Sequence, residues 1–496
     1  MANPTSTAGL IANLSQTWSA SAVEGASGLV RAIARSLTAA ESGAEISAKS
    51  EHAIRFKLDL SGVHLRGMGS DVPCLLIGGG VQAGQELRRF FAEHSGTLQI
   101  PLVFCAAATT RILADDTFPK QWAAVFGPSD LRRMLDSDRP GTDFRQTLWL
   151  QIGRRRLNPY NITRPAPNNT FFGRQRELDQ LRDDTAHSFA IAGPGQIGKS
   201  SLLLQHRWDL IRRRDPRISR MFTVDFFNLM DLTPDGVARH IATAIDPGKA
   251  SHELSWQDLP KFILKASLRL GGRLELLLDE VDRICDSPAL ELLGHEAKGD
   301  QTRLILCGRK KLLDLMLSPN SALGGRVKLI RPQPLDTKSA HDLIVLPLAD
   351  LGITLSDAHL NLIVNHIQRM SGNLPHLLQL YCQRLAELAI EHDWSEVKPK
   401  HLAELESGEF RLMVLGPVFE LTPERQALVV RMLRSGKPSF TVNDVAQLAG
   451  GIGTRQATGI CLELYIQNIL NWDREAFRLA NEAIPRFAKE VGLLES

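Results

Sequence analysis

SFAIAGPGQIGKSSLLL, residues 188 to 204, runs from an apolar strand through a glycine-rich turn into a helix. Gly193, Gly198, Lys199 and Ser200 fit the pattern G-x-x-x-x-G-K-[ST], a phosphate-binding loop. Glycines let successive backbone N–H groups curl round an anion, and the helix that follows presents unpaired N–H groups and its positive dipole end. Gly193, Pro194, Gly195, Gln196, Ile197, Gly198, Lys199, Ser200 and Ser201 are therefore the expected cradle for the phosphates of ATP. Lys199 is expected to reach the β- and γ-phosphates, and the Ser200 hydroxyl to ligate Mg²⁺. The strand before and the helix after supply the context that separates a binding loop from a chance glycine turn.

A second apolar run, Leu274 to Leu278, ends in the carboxylates Asp279 and Glu280. A continuously apolar strand suits a sheet covered on both faces. Ligands of open α/β sheets sit beyond the carboxyl ends of the strands. Asp279 is thus expected to hold Mg²⁺ through water, and Glu280 to act as the general base that polarises the attacking water. Asp282 and Arg283 are expected in the helix that follows.

The 496 residues suggest about three domains. Apolar and charged contents of 43% and 23% are ordinary for a globular chain. A net charge of +3 neither demands nor excludes nucleic acid, whose electrostatic footprint is a clustered basic face. The six cysteines are scattered without a C-x-x-C pair, which favours buried thiols in a reducing cytoplasm over disulfides or zinc. No apolar stretch approaches a membrane span, and Glu24, Arg31 and Arg35 interrupt the N-terminal segment, so neither membrane nor signal peptide is expected.

Residues 1–50, rich in Ala and Ser, read as a partly ordered segment with a short amphipathic helix over Gly28–Leu37. Residues 51–157 alternate strands and helices and read as a small parallel, Rossmann-like α/β domain. The run Gly78-Gly79-Gly80 there is weak evidence for a phosphate site, and no catalytic grouping is visible. Residues 158–170, rich in Pro and Asn, read as a linker.

Phe171-Phe172-Gly173-Arg174-Gln175-Arg176-Glu177-Leu178, just before the phosphate loop, resembles the opening of the nucleotide-binding module in AAA+ and STAND ATPases. The resemblance implies that Phe172, Gly173 and Arg174 help form the base pocket, although Phe172 suits a core equally well. Arg309, after the strand Arg303–Cys307, matches the arginine that senses the γ-phosphate in STAND-type modules, or else is a surface base beside Lys310 and Lys311. Arg331 is a second candidate contact, in cis or to a neighbouring subunit. Gly372-Asn373-Leu374-Pro375-His376 resembles a turn that faces nucleotide in STAND and origin-recognition-type ATPases, which would bring Pro375 and His376 to the site. Proline in a first helical turn is also plain capping.

The expected architecture is an α/β P-loop core with a parallel sheet over 171–335, a helical lid over 336–419, and a winged helix-turn-helix domain over 420–496. In STAND proteins the last of these usually serves as a clamp over the nucleotide. Arg455, Arg474 and Arg478 are its candidate DNA contacts, few for a DNA reader. The reading that emerges is a STAND/AAA+-like ATPase that binds ATP or ADP and forms a homo-oligomer in its ATP state. It would switch conformation by slow hydrolysis and signal to a protein partner through residues 1–157. The alternatives are a DNA-associated loader or transposition-type ATPase and a non-hydrolysing adaptor.

Overall fold

The computed structural model describes residues 20–38, 44–49, 53–60, 68, 71–78, 81–94, 100–105, 123–166, 168–248, 254–296, 302–318, 321, 323, 327–473 and 476–495. The first sheet contains β1 (Ala44–Lys49), β2 (Ala53–Leu58), β3 (Val72–Ile77), β4 (Leu102–Cys105) and β5 (Ala124–Phe126), paired in that order. The expectation of an all-parallel layer is corrected. β1–β2 and β2–β3 are antiparallel, and only β3–β4 and β4–β5 run parallel. The connection 50–52 is far too short for the crossover that a parallel pair needs. The helix Ala20–Thr38 buries Ala26, Leu29, Val30, Ile33, Ala34 and Leu37, a helical stripe in the same core as β2 and β4. Of the glycine run, Gly79 and Gly80 lie outside the described residues.

The second sheet is all parallel, in the order β10–β6–β9–β8–β7, from β6 (Ser188–Ala192), β7 (Met221–Asp225), β8 (Leu274–Asp279), β9 (Thr302–Gly308) and β10 (Val327–Ile330). β6 and β9 are buried along their whole length, as expected of strands covered by helices on both faces. Parallel pairing puts the carboxyl ends at one edge, so Ala192, Asp225, Asp279 and Gly308 rim a single crevice.

Beyond β10 the chain is mainly helical. Helices Thr337–Asp350, Leu360–Ser371, Pro375–Glu391, Lys400–Leu405 and Gly408–Phe419 make up the helical unit expected to be the lid, and called so below, braced by the short parallel pair β11 (Thr354–Leu355) and β12 (Glu396–Val397). Helices Pro423–Arg434, Val442–Leu448 and Thr454–Ile466 follow, then the antiparallel hairpin β13 (Leu470–Asp473) and β14 (Ala476–Leu479) and a closing helix Ala483–Glu490. These three helices, the hairpin and the closing helix are referred to below as the winged unit. Thr441 accepts from the Asp444 N–H while the Asp444 carboxylate accepts from the Thr441 N–H, a capping box.

Two large apolar cores tie these units together. One joins the first sheet to the lid through Leu157 and Tyr160; the other joins the second sheet to the winged unit. The stretch between the sheets is irregular but docked. The Tyr160 hydroxyl donates to the Ile344 carbonyl at 2.9 Å, and the Asn161 N–H donates to Gln379 Oε1 at 3.3 Å.

Candidate nucleotide site

The phosphate loop leaves β6 and turns through left-handed backbone at Gln196 (φ 59°) and Gly198 (φ 92°) before the helix Lys199–Arg212 begins. Gln196 carries a side chain at a φ that ordinarily favours glycine. Lys199 is buried, and its ammonium donates to the carbonyls of Gly193 (3.1 Å) and Pro194 (2.5 Å). Burial pulls its pKa down to about 8. Ser200 donates to the Asp279 carboxylate, and burial holds that carboxyl above its usual range. The next residue, Glu280, has φ 54°, and its carboxylate lies 3.7 Å from Arg309 Nη2. Arg309 also faces the loop, since a Cβ at Gly195 would meet its Nη1 at 3.6 Å.

Asp282 lies with Arg283 in the helix expected after Glu280, a single 3-10 turn over Val281–Arg283. Its role was not read from the sequence, for its carboxylate accepts the backbone N–H groups of Arg309 and Lys311. It thereby caps the helix Lys310–Leu317 and fixes where the Arg309 side chain starts. The only signal in the sequence was a third acid close behind Asp279 and Glu280.

The residues expected at the base divide. Phe172 and Gly173 line an open cavity of about 450 Å³ with Gln205, Asp209, Lys338 and Ser339. Gly173 has φ 71°, and a Cβ there would fall 2.7 Å from Ser339 Oγ, so the lid approaches closely at this point. Phe172 also packs against the core shared by the lid and the first sheet. Arg174 does not line the cavity. It is buried and donates to the Ile197 carbonyl at 3.0 Å, bracing the phosphate loop from behind, with Glu177 at 3.3 Å as its ion pair. Ser201 Oγ accepts the Ala166 N–H at 2.9 Å and so anchors the stretch between the sheets. Pro375 opens its helix at the first turn. His376 lines a separate cavity of about 210 Å³ with Gln196, Leu377 and Asn468, and burial depresses its imidazole pKa.

The winged unit sits directly on the phosphate loop. The Gly195 N–H donates to the Ile466 carbonyl at 3.2 Å, and Asn468 Nδ2 donates to the Gly195 carbonyl at 2.7 Å. Ile466 ends the helix Thr454–Ile466, where carbonyls lack intrahelical partners and the dipole is negative. The contact is sealed by Ile197, which packs with Leu374 and Ala480, and by Arg331, stacked 4.3 Å over the Trp472 ring. At the far end of the same helix Arg455 is exposed, and Arg478 lies 3.9 Å from Asp473. Arg474 lies outside the described residues.

The residues present fit a Mg²⁺-nucleotide. A buried lysine donates only to loop carbonyls that a phosphate can replace, and a serine hydroxyl meets a carboxylate at the head of the helix. No cluster of three His, Cys, Asp or Glu among the described residues forms a self-sufficient metal site. A cation here would therefore depend on phosphate oxygens and water besides Ser200 and Asp279. No helix among the described residues is long and apolar enough to cross a membrane.

Residues 157–398 match the family model described as Novel STAND NTPase 1, which spans the second sheet and most of the lid. The expected α/β P-loop core and the resemblance to STAND NTPases hold for this part of the chain. Among solved structures, a Walker-type ATPase of Pyrococcus abyssi is similar at 14% identity and TM-score 0.45, covering 66% of this chain and 99% of that one. The ORC2 protein of Aeropyrum pernix, solved as ADPNP–ADP complexes, is similar at 13% identity and TM-score 0.45, covering 68% and 97%. The RuvB branch-migration motor of Thermotoga maritima is similar at 16% identity and TM-score 0.37, covering 67% and 98%. No curated protein sequence matches the chain.

Proposed function

We propose that the STAND-type NTPase module of residues 157–398 is an ATP-binding, slowly hydrolysing switch whose closed state is held by the winged unit. The observation that carries this reading is the occupancy of Gly195, whose N–H is bound by Ile466 and whose carbonyl is bound by Asn468. Phosphate binding needs the loop N–H groups and a positive field, whereas the end of the helix Thr454–Ile466 offers carbonyls and a negative one. Nucleotide and winged unit therefore compete for one loop, and binding of the first displaces the second. Lys199 would bind the β- and γ-phosphates, and Ser200 and Asp279 would hold Mg²⁺, which neutralises charge on the phosphates when bound. Glu280 would orient and deprotonate the attacking water, while Arg309, beside both Glu280 and Gly195, would report on the γ-phosphate.

The shared cores give the change a route outward. A lid that moves with the nucleotide carries Tyr160 and the first sheet with it. Residues 1–157 are accordingly the output unit, through which a protein partner is engaged. Release of the winged unit would also free surface for homo-oligomer formation in the ATP state.

The test is the hydrolysis rate of wild type and Glu280→Gln, each with and without DNA. Slow, DNA-indifferent turnover that Glu280→Gln abolishes while retaining bound ATP supports the switch. Turnover stimulated by DNA favours instead a DNA-associated ATPase, a reading supported by the exposure of Arg455 at the helix end remote from the loop. A Glu280→Gln variant indistinguishable from wild type would indicate a non-hydrolysing adaptor.

A further inference from the structure

The cavity of about 210 Å³ beside His376 draws its walls from three units at once. Gln196 comes from the phosphate loop, Leu377 and Val414 from two lid helices, and Asn468 and Ile484 from the winged unit. Much of the wall is apolar, and Leu374, Val414, Val418 and Ile484 in it are buried. An apolar cavity of about 150 Å³ is enough for a benzene ring. This one therefore suits a body of that size with a short tail, and a junction of units with a few placed polar groups is where small molecules ordinarily bind.

Its polar groups call for a donor. Asn468 uses its amide N–H on the Gly195 carbonyl, and its Oδ1 is buried with no hydrogen-bond partner among the described residues. Pro417, inside the helix Gly408–Phe419, has no N–H to give the Met413 carbonyl one turn earlier, and both residues line the cavity. Burial depresses the His376 pKa, so the ring is neutral at pH 7 and can accept a hydrogen bond. Glu420 is the one carboxylate of the wall, exposed and without an ion pair among the described residues, and no lysine or arginine lines the cavity.

We propose that this cavity binds a small organic amine in its ammonium form, its apolar body among Leu374, Val414, Val418 and Ile484 and its N–H groups on Asn468 Oδ1 and Glu420. A wholly apolar ligand would leave the Asn468 oxygen unpaired. An anion would meet a wall whose one charge is negative. Because the phosphate loop, the lid and the winged unit all line the cavity, a bound amine adds contacts that only their docked arrangement makes, and so stabilises it. The site itself does not draw on the nucleotide reading. Its consequence does: on the reading that nucleotide displaces the winged unit, the amine slows nucleotide entry.

Titration calorimetry of the nucleotide-free full chain with phenethylamine, 2-phenylethanol and phenylacetate, similar in shape but different in charge, tests this. Wild type is expected to bind the amine, the alcohol at least about fivefold more weakly, and phenylacetate not at all. Glu420→Gln should bring the amine down to the level of the alcohol, and Glu420→Lys should transfer the preference to phenylacetate. Glu420 is exposed, so neither change disturbs a core. No binding of the amine at about 10 mM, equal affinity for all three probes, or a Glu420→Gln variant that binds the amine as wild type does would each overturn the proposal. Stopped-flow association of ATP separates the site from its consequence. Phenethylamine should slow it in wild type and not in Glu420→Gln. An amine that binds and leaves ATP association unchanged would contradict the competition for Gly195 while the site stands.

Discussion

Asn468 donates its side-chain amide to the carbonyl of Gly195 at 2.7 Å, across 273 positions of sequence, so a residue of the winged unit restrains the peptide at the tip of the phosphate loop. Removing one such bond costs about 0.5–1.5 kcal/mol. Asn468→Ala should therefore tighten nucleotide binding by about two- to tenfold and speed its association. Stopped-flow fluorescence with a labelled ATP measures both.

The buried ammonium of Lys199, with its pKa near 8 against an ordinary 10.5, makes nucleotide affinity depend on pH. Below pH 8 the lysine is already charged, so binding takes up no proton and affinity is flat. Above it, binding must recharge the lysine, and affinity should fall by up to about tenfold per pH unit. For the empty protein the sign reverses. Between about pH 8 and 10.5 the unfolded chain binds more protons at this site than the folded one, so this lysine's contribution to stability rises with pH. Titration calorimetry from pH 6.5 to 9.5 checks the first statement, with Lys199→Met expected to bind weakly at every pH.

Glu280 and Arg309 should separate hydrolysis from sensing. Glu280→Gln should lower turnover by about 10²–10⁴ while leaving ATP affinity nearly intact. Arg309→Ala removes a cation 3.7 Å from Glu280, and should weaken binding of a non-hydrolysable triphosphate more than that of ADP. Affinities for both nucleotides and single-turnover rates for both variants distinguish the roles.

Gly372 has φ 59°, and a Cβ there would run into the Ala480 carbonyl of the winged unit. Gly372→Ala should cost about 1–3 kcal/mol, lower the melting temperature and loosen the lid from the winged unit. Gly416→Ala, in the helix Gly408–Phe419 where a Cβ meets nothing, should instead be neutral or stabilise by about 0.5–1 kcal/mol. Thermal melts of the two variants side by side make the comparison.

What was legible in the sequence is what chemistry confines to a few neighbouring positions. A phosphate cradle needs Gly193 to Ser200 in one unbroken run, and a buried strand that ends in Asp279 and Glu280 announces itself by composition. Long-range relations left no such mark. Nothing local says that Asn468 reaches Gly195, or that Tyr160 in a proline-rich stretch bonds the lid. Arg174 sits in a motif suggestive of a base pocket, yet its left-handed backbone, φ 65°, accompanies a guanidinium set on the Ile197 carbonyl. The first sheet looked parallel because strands and helices alternate from β3 onward, whereas the antiparallel pairings of β1, β2 and β3 follow from one short connection and from which edge β2 joins.

Hydrogen–deuterium exchange of the full chain, with and without a Mg²⁺-bound non-hydrolysable ATP analogue, tests most directly whether nucleotide and winged unit compete for Gly195. The account predicts opposite changes. The loop 193–198 gains protection as phosphate replaces Ile466, while 465–482 loses it as the winged unit departs. Protection gained in both segments, or bound nucleotide with 465–482 unchanged, would contradict it.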